Sequence, residues 1–416
     1  LEVSEKLIDL MERPRSTDTH NIAQLILLLA GLTAIAPLAI DAYLPAMPLM
    51  ASEFAVSIHD IELSLSLFLA GFAVGQLTGG PLSDHFGRRR VIFVGLTLFC
   101  IASIGIVFSQ TLYGLWIWRV IQAIGGGMAI VNSSAVIRDI SSGRDSARYL
   151  SHMAIIMMIA PLIAPLIGTL CLYIAGWHSI FIVLFVYALL IGLLLHRLLP
   201  ETRQISTQKT SALRRYIEVL SHRKALAYLA AQSFTYGGLF SFITASPSVY
   251  MVYFGVSASV YPFLFGINVV MMIVVNRINV RLLLFYDPPC LLRLGQIIQV
   301  ITGILMLLYI LISSDPALSM IVFGIMIFIG AQALIVSNAI ASTVEFFPRS
   351  SATATAVLGS FGFLSGAASG LLVSSLGDGS LWPMITVMTG CAIAGLTLKT
   401  LILRSCRHNP QMKNGC

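Results

Sequence analysis

Charged side chains are scarce in this chain of 416 residues: they make up 10% of it, against 57% hydrophobic residues. A soluble domain carries about 25% charged residues, so this composition excludes a water-facing surface over most of the chain. The apolar residues occur in blocks of about 20, the length at which a helix crosses the hydrocarbon core of a bilayer. The sequence therefore predicts an all-α polytopic membrane protein.

Several kinds of chemical site are also missing. The six cysteines lie singly, with no CxxC pair and no metal-ligand spacing, which argues against a disulfide framework and a zinc site. No segment has the GxxxxGK[ST] pattern of a phosphate-binding loop, so ATP-driven transport is not indicated. The apolar blocks contain no nucleophile–base pair and no metal cluster. We expect a protein that is not an enzyme and that has no cofactor and no metal.

Twelve candidate spans lie between the charged or Pro/Gly-rich breaks. They are 22–44, 62–82, 91–109, 113–136, 149–174, 179–199, 225–249, 259–281, 290–312, 317–341, 352–375 and 381–402. The polar stretch 200–224 divides them into two six-helix bundles, 22–199 and 225–402. This stretch predicts a cytosolic linker with a short amphipathic helix at 211–221, and residues 1–21 and 403–416 are predicted as cytosolic tails.

Lysine and arginine fall on one side of this topology. The six loops predicted to face outward contain neither residue, whereas the inward loops contain many. Cytoplasmic loops hold the positive charge of membrane proteins, so both termini are predicted to be cytoplasmic. The net charge of +7 follows from this topology and requires no nucleic-acid partner. The outward-facing loops are near 45–61, 110–112, 175–178, 250–258, 313–316 and 376–380.

The segment GGPLSDHFGRRR, residues 79–90, concentrates charge between the second and third spans. Three arginines alone would suit a membrane anchor, but an anchor does not explain the glycines, the proline or Asp84. Gly87 suits a tight reversal with positive φ. Gly71, Gly75 and Gly79 recur every four residues, a stripe that lets another helix approach closely.

This segment resembles the loop signature of the major facilitator superfamily, G-x-L-[SA]-D-R-x-G-R-[RK], with His85 in place of the usual arginine. RVIQAIGG (119–126) resembles the arginine motif of the fourth span, and IAPLIAPLIG (159–168) resembles the fifth-span signature of proton-coupled antiporters. With LAIDAYLPAMP (38–48), GWHSIF (176–181) and PET (200–202), the chain is similar to the bicyclomycin-resistance-type drug:proton antiporters. The resemblance implies the major facilitator fold, in which two six-helix pseudo-repeats rock about a central site.

The resemblance also assigns roles to residues. It implies a cytoplasmic latch that holds the helix ends together in one state, with Arg138 and Asp139 as candidate partners of the loop. The latch residues are Gly80, Asp84, Gly87, Arg88, Arg89, Arg138 and Asp139. The antiporter motif is carried by Pro161, Pro165 and Gly168, which can equally serve packing and helix bending.

Asp41 is the clear acidic residue inside a predicted span, and Arg119 is its basic counterpart in the first half. An ionised side chain in a bilayer costs at least ~2.5–3.5 kcal/mol, so it usually faces a cavity and has a partner. At 1.5 Å per residue, Asp41 lies about 30 Å and Arg119 about 26 Å from the inner helix ends, so a pair is possible. By resemblance, Asp41 carries the proton and Arg119 tunes it. The alternative is that Asp41 only caps the first span near the outer surface.

Further polar and aromatic residues are candidates for a substrate cavity, although such residues often bridge or pack helices instead. They are Tyr43, Gln122, Asn132, Phe234, Tyr236, Asn268, Gln332 and Asn338. The sequence thus predicts a monomeric, proton-coupled exporter of small amphipathic compounds, antibiotics above all, in a bacterial inner membrane. An exporter dedicated to one metabolite, such as a siderophore or an amino-acid derivative, and a non-transporting sensor with the same fold are the alternatives.

Overall fold

The structure is a computed structural model that describes residues 16–141, 143–203, 212–347 and 350–408. These ranges are helical and contain no β-strand. The helices of the first half are α1 Ser16–Asp41, α2 Met47–Glu53, α3 Ile58–Phe86, α4 Arg88–Val107, α5 Leu112–Ile140, α6 Gly143–Ala175 and α7 His178–Leu198. Those that follow are α8 Ala212–Ser221, α9 Arg223–Pro247, α10 Tyr261–Leu282, α11 Pro288–Ile312, α12 Leu318–Val344, α13 Ser351–Ser375 and α14 Trp382–His408.

A long helix occupies each of the twelve predicted spans, and α8 occupies the predicted amphipathic helix of the linker. Eleven segments of the described chain are long and apolar enough to cross a membrane. The remaining long helix, α9, has 25 residues and buries polar side chains, among them Gln232, Thr235 and Ser241. It packs against α12, α13 and α14, so these polar groups face protein and not lipid.

The first predicted outer loop, 45–61, is wrong in part because the chain there is still helical. A 3₁₀ turn at Leu44–Ala46 leads directly into α2, and the first membrane segment continues to Glu53. Pro45 and Pro48 are the second residues of these two pieces, within the first turn, where their missing N–H groups and fixed φ angles are tolerated. Similarly, α14 runs to His408 and includes the first residues of the predicted C-terminal tail.

Glycine stripes bring the helices of each half into close contact. Gly71, Gly75 and Gly79 of α3 face the backbone of α5 so closely that a Cβ at any of them would overlap it. In the second half, Gly362 and Gly366 of α13 face Tyr236 and Phe240 of α9. Backbones can approach in this way only where the side chains are small.

The two halves, α1–α7 and α9–α14, meet mainly through α3 against α13 and α6 against α10. We call the end that carries Asp84, Arg88 and Arg138 the basic end, and the opposite end, where α3 and α14 begin, the distal end. Direct contacts join the halves on the distal side, such as Ser66 against Gly370. At the basic end, a cavity of about 110 Å³ separates α3 and α5 from Thr353 and Ala356 of α13.

Candidate functional site

A cavity of about 170 Å³ lies between the two halves. Helices α1 and α6 form one wall, and α9, α10, α12 and α13 form the other. Among its lining side chains, only Asp41 and Asn268 are polar; the others include Phe240, Phe265 and Phe363. An apolar chamber with a few placed polar groups is the usual form of a small-molecule site.

Asp41 is the last residue of α1 and is 3% exposed. Its Oδ1 is buried and has no hydrogen-bond partner in the described part of the protein. The chain continues beyond it through the 3₁₀ turn and α2, so helical structure does not stop at Asp41. A carboxyl with a free oxygen in an apolar cavity can hold a proton or pair with a cationic group of a ligand.

Arg119 is fully buried in the first half, and it does not form the predicted pair with Asp41. It donates to the backbone oxygen of Ala39 (3.1 Å) and to Oε1 of Gln122 (2.8 Å). Its Cζ also lies 4.3 Å from the ring centroids of both Tyr43 and Phe68, which is cation–π geometry.

The geometry of α1 explains the separation. Residues 39 and 41 point about 200° apart around the helix, so a group that approaches α1 beside Ala39 does not meet the side chain of Asp41. None of the ion pairs formed by the described residues joins Asp41 and Arg119.

Two of the predicted cavity residues lie at or beside the cavity. Asn268 lines it and donates to the backbone oxygen of Leu264, while its own Oδ1 is buried without a partner in the described chain. Tyr236 stands behind the wall, with its ring centroid 6.1 Å from that of Phe240 and 6.2 Å from that of Phe363.

The other predicted cavity residues do not line this cavity. Tyr43 and Gln122 hold Arg119, and Gln122 also donates to Ser103. Asn132 lines the cavity at the basic end. Polar groups in the interior of a membrane protein commonly satisfy one another in this way across helices.

In the second half, Asn338 donates to Asn279 and ties α12 to α10 (2.8 Å). Phe234 packs against Gly395 of α14, and Gln332 is buried in α12 away from the cavity lining. The sequence could not separate these residues from true lining residues, because helices that are apolar on all sides give no signal for the face that turns toward a cavity.

The predicted latch residues come together at the basic end of the first half. Arg88 forms ion pairs with Asp84 (2.8 Å) and with Asp139 (3.2 Å), and so joins α3, α4 and α5. Gly87 makes the turn between α3 and α4 with a φ of 100°, which side chains rarely allow. Arg89 donates to the backbone oxygen of His196 at the end of α7 (2.9 Å).

Glu201 also belongs to this cluster, although the sequence pattern did not predict it. Its carboxylate accepts from the backbone N–H groups of Arg88 (2.8 Å) and Arg89 (3.3 Å), the first residues of α4. An anion at a helix N-terminus satisfies free N–H groups and complements the helix dipole. Gly80 and Arg138 line the neighbouring basic-end cavity, where Tyr216, Thr353 and Ala356 form the facing wall.

The antiporter motif holds α6 against α1. Gly168 faces the carbonyl group of Ala42 so closely that any Cβ would overlap it. Pro165 is buried, and Pro161 lines the central cavity. The motif therefore lies directly behind the chain segment that positions Asp41.

A second buried carboxyl was also missed. Glu62, the fifth residue of α3, has no exposed surface, and its Oε2 lies 2.9 Å from Nδ1 of His59. It stands at the first position of its predicted span, where a charged residue is easily taken for a boundary. The spacing of His59 and Glu62, one helical turn apart, was the available signal.

Comparisons with known proteins agree with this architecture. The chain is 31% identical over 372 residues to the bicyclomycin resistance protein homolog of Haemophilus influenzae, covering 88% of this chain and 93% of that protein. It is 28% identical to the chloramphenicol resistance protein of Pseudomonas aeruginosa, covering 92% and 90%.

Among solved structures, the fold matches a bacterial homolog of the human lysosomal transporter Spinster in an inward-facing, occupied conformation. The TM-score is 0.71, at 14% identity, and the match covers 94% of this chain and 97% of that one. The sequence profile of the Major Facilitator Superfamily matches residues 29–370. This protein is a membrane transporter, not an enzyme, and belongs to the major facilitator superfamily.

Proposed function

We propose that this transporter exports small amphipathic compounds, antibiotics being the leading class, in exchange for protons. Two relatives are named for resistance to bicyclomycin and to chloramphenicol. An apolar cavity with aromatic walls suits compounds that combine an apolar body with a few polar groups. The cavity offers no dense set of hydrogen-bond partners of the kind that a single polar metabolite would need.

The observation that carries the proposal is the state of Asp41. It is 3% exposed, lines the cavity between the halves and has a buried oxygen without a partner among the described residues. A structural carboxylate in a membrane protein would be expected to hold an ion pair. A carboxyl left free at the site where a solute binds is instead suited to gain and lose a proton during transport.

Exchange follows if the two ends open in turn. The positive-inside rule supports an orientation in a bacterial inner membrane in which the basic end faces the cytoplasm and the distal end faces outward. Asp41 takes up a proton while the distal end is open and releases it toward the cytoplasm when a solute enters. An inward proton gains about 2.3 kcal/mol per 100 mV, which supports export against a gradient. A monomer contains the whole cavity.

The test is transport by purified protein in proteoliposomes with an imposed pH gradient and a panel of amphipathic antibiotics. We expect proton-driven flux of several compounds in the wild type and background flux in Asp41→Asn. Asp315→Asn is the matched control, since Asp315 is exposed between α11 and α12 and should transport as the wild type does. Unchanged proton-driven flux in Asp41→Asn would refute the role of Asp41. A response to one metabolite alone would favour a dedicated exporter.

A further inference from the structure

His59, whose side chain is 21% exposed, pairs with the fully buried Glu62 at the distal end. They stand one turn apart at the start of α3, with Nδ1 of His59 2.9 Å from Oε2 of Glu62. Glu62 has no exposed surface, and its Oε1 has no hydrogen-bond partner within the described residues. A fully buried carboxyl with one satisfied oxygen is costly when it is ionised, unless a counter-charge is present.

The pair lies where the two halves touch. The ring of His59 stands against Gly377, at the end of α13, so closely that a Cβ at position 377 would overlap it. The carboxyl of Glu62 lies beside Ser248, the first residue of the π-helical turn after α9. Opening of the distal end must separate these contacts and admit water to both side chains.

The titratable groups that face the pair are few. From the first half they are Asp60 and the phenol of Tyr43, and from the second half Asp378 and the phenol of Tyr261. Hydrogen bonds from Ser380 hold the pKa of Asp378 below its usual range, so this exposed carboxyl stays ionised. None of these groups is a cation. His59 is therefore the group that can supply positive charge to Glu62 in this environment.

One proton decides the charge of the pair. With a proton on either side chain, the pair is an ion pair or two neutral groups, and its net charge is zero. Without that proton, a carboxylate stays buried beside a neutral imidazole, and the cost of burying it favours the hydrated, open arrangement.

We propose that His59 and Glu62 form a second proton-binding site of this chain, distinct from Asp41, and that the proton held by this pair keeps the distal end closed. The inference rests on the proposed function in one respect, namely that the two ends open alternately. When the distal end is open, the pair takes up a proton from outside, and the distal end then closes.

The test is a distance measurement across the distal end that requires no transport. Spin labels at Ser52→Cys and Ser375→Cys, both exposed, report on the two halves in a full-length background whose six native cysteines are serine. Distances are compared at about pH 5.5 and about pH 8.5, on either side of the ordinary histidine pKa. In the wild type we expect the short-distance population to grow as the pH falls, by up to about tenfold per pH unit for one linked proton.

Variants separate this pair from its neighbours. Glu62→Gln needs no proton, so it should keep the short distance at both pH values. Asp315→Asn is the matched control: it removes an exposed carboxylate between α11 and α12, which is not among the groups that face the pair, and it should respond as the wild type does. His59→Gln keeps a hydrogen-bond donor but leaves the carboxyl to bind the proton alone, so the midpoint should move to lower pH.

The inference would be overturned if the spin-label distances in the wild type did not change with pH. It would also be overturned if the distances in Glu62→Gln changed with pH as they do in the wild type. If Glu62→Gln does not fold, an unchanged midpoint in His59→Gln would overturn it instead. Asp41→Asn separates the two proposals, because its distances should still respond to pH even though its transport is lost. Proton-driven flux with a pH-insensitive distal end would leave the proposed function standing and remove this inference alone.

Discussion

The guanidinium of Arg119 lies in the interior of the first half, where it contacts two aromatic rings and donates to two hydrogen-bond acceptors. The guanidinium stacks on Tyr43 and Phe68 while it donates to Ala39 and Gln122. A planar fork can make these contacts together, whereas the ammonium group of lysine is a compact point charge. Arg119 therefore joins α1, α3 and α5 into one unit behind the cavity.

Arg119→Lys should destabilise the protein for this reason. The loss of one hydrogen bond to a charged donor costs about 1.5–3 kcal/mol. Thermal or denaturant unfolding in detergent measures the change. Arg277→Lys, at an exposed position of α10, is the control and should stay within about 0.5 kcal/mol of the wild type. Equal stability of the two variants would mean that the rings and acceptors around Arg119 contribute little.

Some individual residues and contacts of the candidate site could be predicted from the sequence, and others could not. Asp41, which lines the central cavity, could be singled out from the sequence because an acid in an apolar block stands out. The separation of Asp41 from Arg119 could not be predicted from the sequence. The rotation of a helix that is apolar on all sides is set by packing against its neighbours. Glu62 was hidden for a related reason: burial at a span boundary depends on the partner half, which the local sequence does not contain.

Gly168 of α6 comes into very close contact with Ala42, the residue that follows the end of α1. Gly168→Ala would place a methyl group onto the carbonyl group of Ala42 and push the two helices apart. Overpacking of this kind costs typically about 1–3 kcal/mol, and here it would also displace Asp41. We expect a lower unfolding temperature and reduced transport.

Gly390→Ala is the matched control for this change. Gly390 lies inside α14, and a Cβ there would meet no atom within 4 Å. Alanine favours a helix over glycine by up to about 1 kcal/mol, so this variant should be as stable as the wild type or more so. If both substitutions had the same small effect, the close approach of α1 and α6 would not be a structural requirement.

The start of α9 depends on a neutral histidine. Nδ1 of His222 accepts from the backbone N–H of Ala225 as an N-cap, and burial, followed by Lys224, holds the pKa of His222 below its ordinary value of 6.5. The cap is fully present above pH 6.5 and is lost as the pH falls through the lowered pKa in the folded state.

The free energy of unfolding of the wild type should therefore fall as His222 becomes protonated. A variant whose N-cap residue does not titrate should not show this part of the loss. An N-cap contributes about 1 kcal/mol, and asparagine caps well at any pH. The unfolding temperature of the wild type relative to that of His222→Asn is the measurement, taken at about pH 7.5 and about pH 5. A difference that does not grow toward the lower pH would contradict this role of His222.

At the scale of the molecule, two six-helix halves surround a central cavity and touch each other on its distal side. The twelve spans and their division could be predicted because bilayer thickness fixes the length of a crossing helix. The helical continuation through α2 could not be predicted, since prolines such as Pro45 and Pro48 usually mark a break, and here they lie in the first turns of new helical pieces. The arrangement of the ends depends on contacts between the halves, such as those of His59 and Ser66 with α13 and the turn after it.

The central claim is that Asp41 exchanges its proton with the transported solute. The most direct measurement is the pH of a weakly buffered detergent solution of purified protein when an antibiotic that it binds is added. We expect the wild type and Glu62→Gln to release protons as the solute binds, and Asp41→Asn to bind without release. Equal proton release from the wild type and Asp41→Asn would show that the exchanged proton does not come from Asp41, and would contradict the account.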